Sequence, residues 1–178
     1  MNRIVGAVTS LVQHLIDVAT DPEIYRPSAC PHCGYARVWH HGCYHRKADR
    51  GASTDASREL IPVLRFLCAA CPRTCSRLPA CISPRRWYDW AMQQAVLLLL
   101  LAGCSLRHCA RCGGVDRRTV GRWRDWLHER DDRLAFFLRN RWPELGRVAE
   151  FALFWRNVID TLSMQVAFAW LDRNLDVP

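Results

Sequence analysis

Apolar residues recur along this chain with three spacings, and each predicts a different element. Near the N-terminus Ile4, Val5, Val8, Leu11, Val12, Leu15 and Ile16 return at helical intervals with polar residues between them. That predicts an amphipathic helix over 1–20 with this stripe as its packing face. Residues 59–67 alternate instead, with Ile61, Val63, Arg65 and Leu67 on one side and Leu60, Pro62, Leu64 and Phe66 on the other, which predicts a strand. A second strand-like run covers 35–47, and the polar "DRGASTDAS" between the two reads as an exposed hairpin loop. From about 86 a continuous apolar run predicts a helix that ends at Gly103. Ser105 is placed to cap a short helix over 106–112, "GGV" to force a tight turn, and Asp116 to cap a third helix over about 117–128. Leu134, Phe137 and Leu138, then Leu153, Phe154, Val158 and Ile159, predict further helices. The class is α+β: a small β region, then a mostly helical region and C-terminal helices, divided as 1–20, 21–84, 85–130 and 131–178.

Within 106–127 the spacing is more specific than the composition. Counting Leu106 as the first position, the fifth is Ala110, small enough for two helices to cross closely, and the ninth is Gly114, in the turn. The tenth, fifteenth and eighteenth are Val115, Val120 and Trp123, all apolar, and Leu127 extends the stripe. This is the helix-turn-helix pattern. It turns Arg117, Arg118, Gly121 and Arg122 outward, with Arg124 toward the flank. Arg117, Arg118 and Arg122 are the candidates for bases or phosphates of double-stranded DNA, and Thr119 for a phosphate; Arg124 adds charge beside them.

The cysteines supply the second signal. Cys30 and Cys33 form one C-x2-C turn, Cys68 and Cys71 another, and 34 residues separate the pairs. Two such turns present four thiolates to one ion, the tetrahedral set of structural zinc, which leaves no position open for water. Knuckle, strand, loop, strand, knuckle is the plan of a zinc ribbon. Cys75 is an alternative to Cys71 as a ligand; Cys43, Cys81, Cys104, Cys109 and Cys112 read as small core residues, and His32, His40, His41 and His45 as ribbon surface.

Composition adds little beyond this. The net charge is +8 and Lys47 is the lone lysine, so the positive charge is almost all arginine, which suits phosphate and guanine edges. No apolar run reaches the ~18 residues of a membrane span, and the N-terminal stretch lacks the pattern of a signal peptide. Ten cysteines without an export signal point to metal binding in the cytoplasm, here nucleoid-associated, rather than to a disulfide scaffold.

Taken together, "DPEIYRPSACPHCG", "HHGCYHRK", "IPVLRFLCAAC", "RTCSRLPACISPRRWY" and "SLRHCARCGGVDRRTVGRWRDWL" resemble a bacterial family of transposon-associated proteins of unknown function. That family joins a four-cysteine zinc ribbon to a helix-turn-helix, a pairing that also opens many insertion-sequence transposases. The resemblance covers roughly residues 20–130. It implies DNA binding by the third helix, with Cys30, Cys33, Cys68 and Cys71 as the zinc ligands. Cys75 and Cys81 depart from it, standing where large apolar residues are usual, and so does His108, where an acidic residue often completes the cap.

A transposase also needs a sheet-based catalytic domain whose carboxylates hold two metal ions. The residues after Arg130 read as helices, and Asp131, Asp132, Glu144, Glu150, Asp160 and Asp172 as solvated positions. The chain is therefore expected to lack a catalytic domain. Two alternatives stand beside a DNA-binding protein: an adaptor for a transposase or other partner, and the N-terminal fragment of a full transposase. The C-terminal aromatics are expected to pack in the core, with a homodimer face as the alternative.

Overall fold

A computed structural model describes residues 4–48, 60–83, 88–146 and 148–174; the expected hairpin loop lies outside them. The chain divides into two compact units, one formed by the residues through Asp89 with those from Phe168 onward, the other by Trp90–Ala167. Mixed α and β structure is observed, as expected.

In the first unit the central strand carries the core. β1 (Ile4–Val5) pairs in parallel with β5 (Leu78–Pro79), and β2 (Val38–Lys47), β3 (Leu60–Cys68) and β4 (Thr74–Ser76) form an antiparallel sheet in the order β2-β3-β4. Because β3 alternates, it feeds two clusters. Leu64, Phe66 and Cys68 pack with Val5, Val8, Tyr25, Cys30 and Val38. Ile61 and Val63 pack on the other face with Ala48, Leu78 and Ile82. β2 shifts register between His40 and Cys43, where Gly42 takes φ +74°, a bulge that glycine accommodates.

The expected N-terminal helix is corrected. Ile4 and Val5 are strand, Asp172 Oδ2 accepts a hydrogen bond from the Ile4 N–H at 2.7 Å, and the helix α1 spans only Leu11–Thr20, capped by Ser10. Its burial is also reversed: Val12, Leu15 and Ile16 are exposed, while His14 and Asp17 are buried. His14 Nε2 lies 2.8 Å from the Pro62 carbonyl, which can only accept, so Nε2 carries the hydrogen. Nδ1 of the neutral ring therefore accepts from the Tyr25 hydroxyl at 2.7 Å. Burial lowers the His14 pKa, against smaller opposing effects of the Pro62 carbonyl and Asp17.

The second unit is helical: α2 (Trp90–Leu101), α3 (Leu106–Gly113), α4 (Arg117–Arg141) and most of α5 (Phe151–Asn174). α2 starts at Trp90, later than the apolar run suggested, with Tyr88 and Asp89 outside the helix. It ends in a Schellman turn. Gly103 takes φ +82° and donates to the Leu100 carbonyl, and Cys104 donates to that of Leu99. α4 runs on past residue 128 to Arg141, about 37 Å in all. Its buried stripe, Val120, Trp123, Leu127, Leu134 and Leu138, continues past the charged "HERDDR". The C-terminal aromatics divide: Phe154, Trp155 and Phe168 are buried, whereas Phe136 is exposed.

Two of the scattered acids are also corrected. Asp131 accepts from the Trp155 indole N–H at 2.7 Å, joining α4 to α5, and Asp172 is fully buried against Ile4. Glu150 accepts from the Ala152 and Leu153 N–H groups at the start of α5, and these bonds lower its pKa.

Candidate metal centre and basic helix face

The two C-x2-C turns are built alike. In the first, the Cys30 N–H donates to the Tyr35 carbonyl at 2.8 Å and the His32 N–H reaches the Cys30 sulfur at 3.4 Å. In the second, the Cys68 N–H donates to the Arg73 carbonyl at 3.0 Å and the Ala70 N–H reaches the Cys68 sulfur at 3.3 Å. Gly34, at φ +75°, closes the first turn. The second follows directly from β3, so the ladder between β2 and β3, which opposes Val38 and Cys68, sets the two turns face to face.

The sulfurs of Cys30, Cys33, Cys68 and Cys71 consequently lie within 4.8 Å of one another. Cys30 and Cys71 are 3.7 Å apart, Cys33 and Cys68 3.6 Å. A ~2.3 Å zinc–sulfur bond in a regular tetrahedron gives a sulfur–sulfur edge of about 3.8 Å, whereas a disulfide needs about 2.05 Å. The donor set thus fits a tetrahedral, thiophilic cation. Four thiolates at this spacing repel one another unless a cation joins them. The N–H groups of Cys71 and Ala70 draw the Cys68 thiol down to about 6. At Cys33 the Tyr35 N–H pulls the same way but is outweighed by desolvation and the neighbouring sulfurs, and the thiol is pushed up to about 12.

Among the described residues this is the one such ligand cluster; Cys75 is not part of it. The cysteines expected in the core divide. Cys109 is buried, Cys81 and Cys104 are half-buried, and Cys43 and Cys112 are exposed. Cys112 stands beside His108, with Sγ 3.4 Å from Nε2. His32, His40, His41 and His45 are exposed.

The second candidate is the start of α4. Ser105 Oγ accepts from the His108 N–H at 3.2 Å and opens α3. Gly114 closes it at φ +59°, and Asp116 Oδ1 accepts from the Arg118 N–H at 2.8 Å to open α4. Gly113 makes a close approach to α2: a Cβ there would stand 2.5 Å from a methyl of the fully buried Val96. With Val115, Val120, Trp123 and Leu127 buried, Arg117, Arg118 and Arg122 are held in solvent. Thr119 is half-buried and accepts from the Arg122 guanidinium at 3.1 Å.

Gly121, expected to face outward, faces Leu106 of α3 instead, 3.9 Å from where its Cβ would be. Arg124 is exposed but stands apart from Arg118 and Arg122: it pairs with Asp125 at 2.7 Å and lines a cavity with Leu127 and His128. Arg107 and Arg111, exposed on α3, were missed from the sequence; their four-residue spacing on a capped helix was the available signal. Among the described residues no helix is long and apolar enough to cross a membrane. The chain matches no protein-family model, no curated protein and no solved structure.

Proposed function

We propose that this chain is a zinc-containing protein that binds double-stranded DNA and is related to insertion-sequence transposases. The observation that carries the reading is the start of α4. Arg117, Arg118 and Arg122 project into solvent from the first turns of a helix whose opposite side is buried, just after a tight turn from α3. In a helix-turn-helix the start of the second helix reaches base edges and the first helix crosses the backbone. That gives Arg118 and Arg122 bases or phosphates, Thr119 a phosphate, and Arg107 and Arg111 the backbone. Beyond them the same face of α4 turns acidic at Asp125 and Glu129, which favours a groove entered only by the first turns. Zinc would be structural, since four sulfurs fill its coordination. A nucleoid location follows from DNA binding.

Selection from a random duplex pool with zinc-loaded protein tests this. An enriched motif, two-fold symmetric if the protein is a homodimer, is expected, with affinity that falls steeply as salt rises. Arg118→Ala with Arg122→Ala should weaken binding by ~1–3 kcal/mol per lost contact; unchanged binding would remove the site assignment.

A second reading, an adaptor for a transposase, is favoured by the exposed Val12, Leu15 and Ile16 of α1. Under it, Leu15→Asp abolishes capture of that transposase while duplex binding stays the same.

A further inference from the structure

We propose that the open-mouthed cavity lined by α2, α4 and the start of α5 is a binding site for a short aliphatic monocarboxylate. The cavity has a volume of about 110 Å³. Its floor is apolar: Leu97, Leu100 and Leu101 from α2 and Leu127 from α4. Since an apolar cavity of ~150 Å³ holds benzene, this one takes a tail of about four carbons.

The rim selects the head group. Among the described residues its polar side chains are Arg124 and His128, and none of the lining is a carboxylate. Arg124 gives Nε and Nη2 to one oxygen of Asp125, at 2.9 and 2.7 Å. That fixes the guanidinium plane and leaves Nη1 outside the pair. The His128 ring is stacked on Phe151, with centroids 3.9 Å apart and 14° between planes, which makes a rigid wall. The C-terminal end of α2 would repel an anion, but the Leu101 carbonyl accepts from Arg156 at 2.6 Å. An apolar floor beside an arginine whose Nη1 lies outside its pair with Asp125, with the Leu101 carbonyl already taken by Arg156, matches a carboxylate with a short tail.

Pentanoate and pentan-1-ol, titrated into the zinc-loaded full chain and followed by methyl NMR, separate the outcomes. Pentanoate should shift the methyls of Leu97, Leu100, Leu101 and Leu127 in a saturable way, with Kd on the order of 1 mM for so small a ligand. Pentan-1-ol should bind about fivefold more weakly, and Arg124→Gln should weaken pentanoate by a similar factor. Ala152→Leu, which fills the cavity from α5, should abolish binding. Equal affinity for acid and alcohol would overturn the carboxylate assignment. Shifts gathered around Arg118 and Arg122, binding that survives Ala152→Leu, or no saturable shift would overturn the site.

Discussion

Strand β2 is exposed along most of its length, whereas helix α4 keeps one buried stripe from Val120 to Leu138. Both elements present polar and basic residues to solvent, but they are held differently. The inner faces of α4 and its neighbours are continuous enough to bury Val96, Leu97, Val120, Trp123 and Leu127. The sheet draws most of its buried apolar residues from the one central strand, and Cys30 and Cys68 are themselves members of its core cluster. A set of thiolates at that point can supply through metal coordination what a small core does not supply by burial. On this contrast the basic helix is expected to hold without metal, whereas the sheet is expected to lean on a metal gathered by its four sulfurs.

The strongest attempt to break that contrast is metal removal. Structural zinc contributes on the order of 10 kcal/mol in small domains, so chelation, or Cys30→Ala, should erase amide protection across Val38–Lys47 and Leu60–Cys68 in hydrogen exchange. Protection in α2, α3 and the first half of α4 should persist. Collapse of both units together would refute the contrast. Metal analysis should return about one zinc per chain; iron in its place would still fit a four-thiolate site.

Smaller changes should act on the helical unit alone. Gly113→Ala drives a Cβ against Val96, a short, stiff and fully buried side chain. Such overpacking costs about 1–3 kcal/mol, and denaturant melts should show the loss with zinc stoichiometry intact. Removing the cap with Asp116→Ala should cost about 1 kcal/mol. Because Asp116 holds the Arg118 N–H, the loss should appear as fraying of the first turn of α4 in amide exchange.

The smallest expected effect belongs to the first unit and to pH. Burial lowers the His14 pKa below its unfolded value, so between the two values the unfolded chain binds more protons. Stability from this group is full above the unfolded pKa of about 6.5 and declines as pH falls toward the folded value. Urea melts of the zinc-loaded protein from pH 7.5 down to 5.5, compared with His14→Gln, should show a decline that the variant lacks.

Much of this was legible in the chain. The paired C-x2-C turns name the four sulfurs because each turn is a local structure of a few residues. Alternation in β3 names both faces of the strand because the period of two is rigid. Ser105, Gly114 and Asp116 mark the ends of α3 and α4 because capping acts within one helical turn. Elsewhere the local signal misled. Val12, Leu15 and Ile16 carry the spacing of a packing face, yet α1 buries His14, whose hydrogen bonds to Tyr25 and Pro62 satisfy both ring nitrogens. The continuity of α4 past 128 was not legible, because the local sequence there says nothing of which distant residues, such as Trp155, its inner face meets. Asp131 and Asp172 looked solvated because their partners, Trp155 and Ile4, are remote in sequence.

By itself, then, the sequence determined which four cysteines cluster, the capped turn between α3 and α4 and the positions of Arg117, Arg118 and Arg122, since each rests on periodicity or on contacts a few residues apart. Tertiary structure decided which face of α1 is buried, that Arg124 lines a cavity apart from Arg118 and Arg122, and that Ile4–Val5 is a strand beside Leu78–Pro79. Those outcomes depend on which surfaces meet across long stretches of chain, where burial and hydrogen bonding with distant partners outweigh local preference.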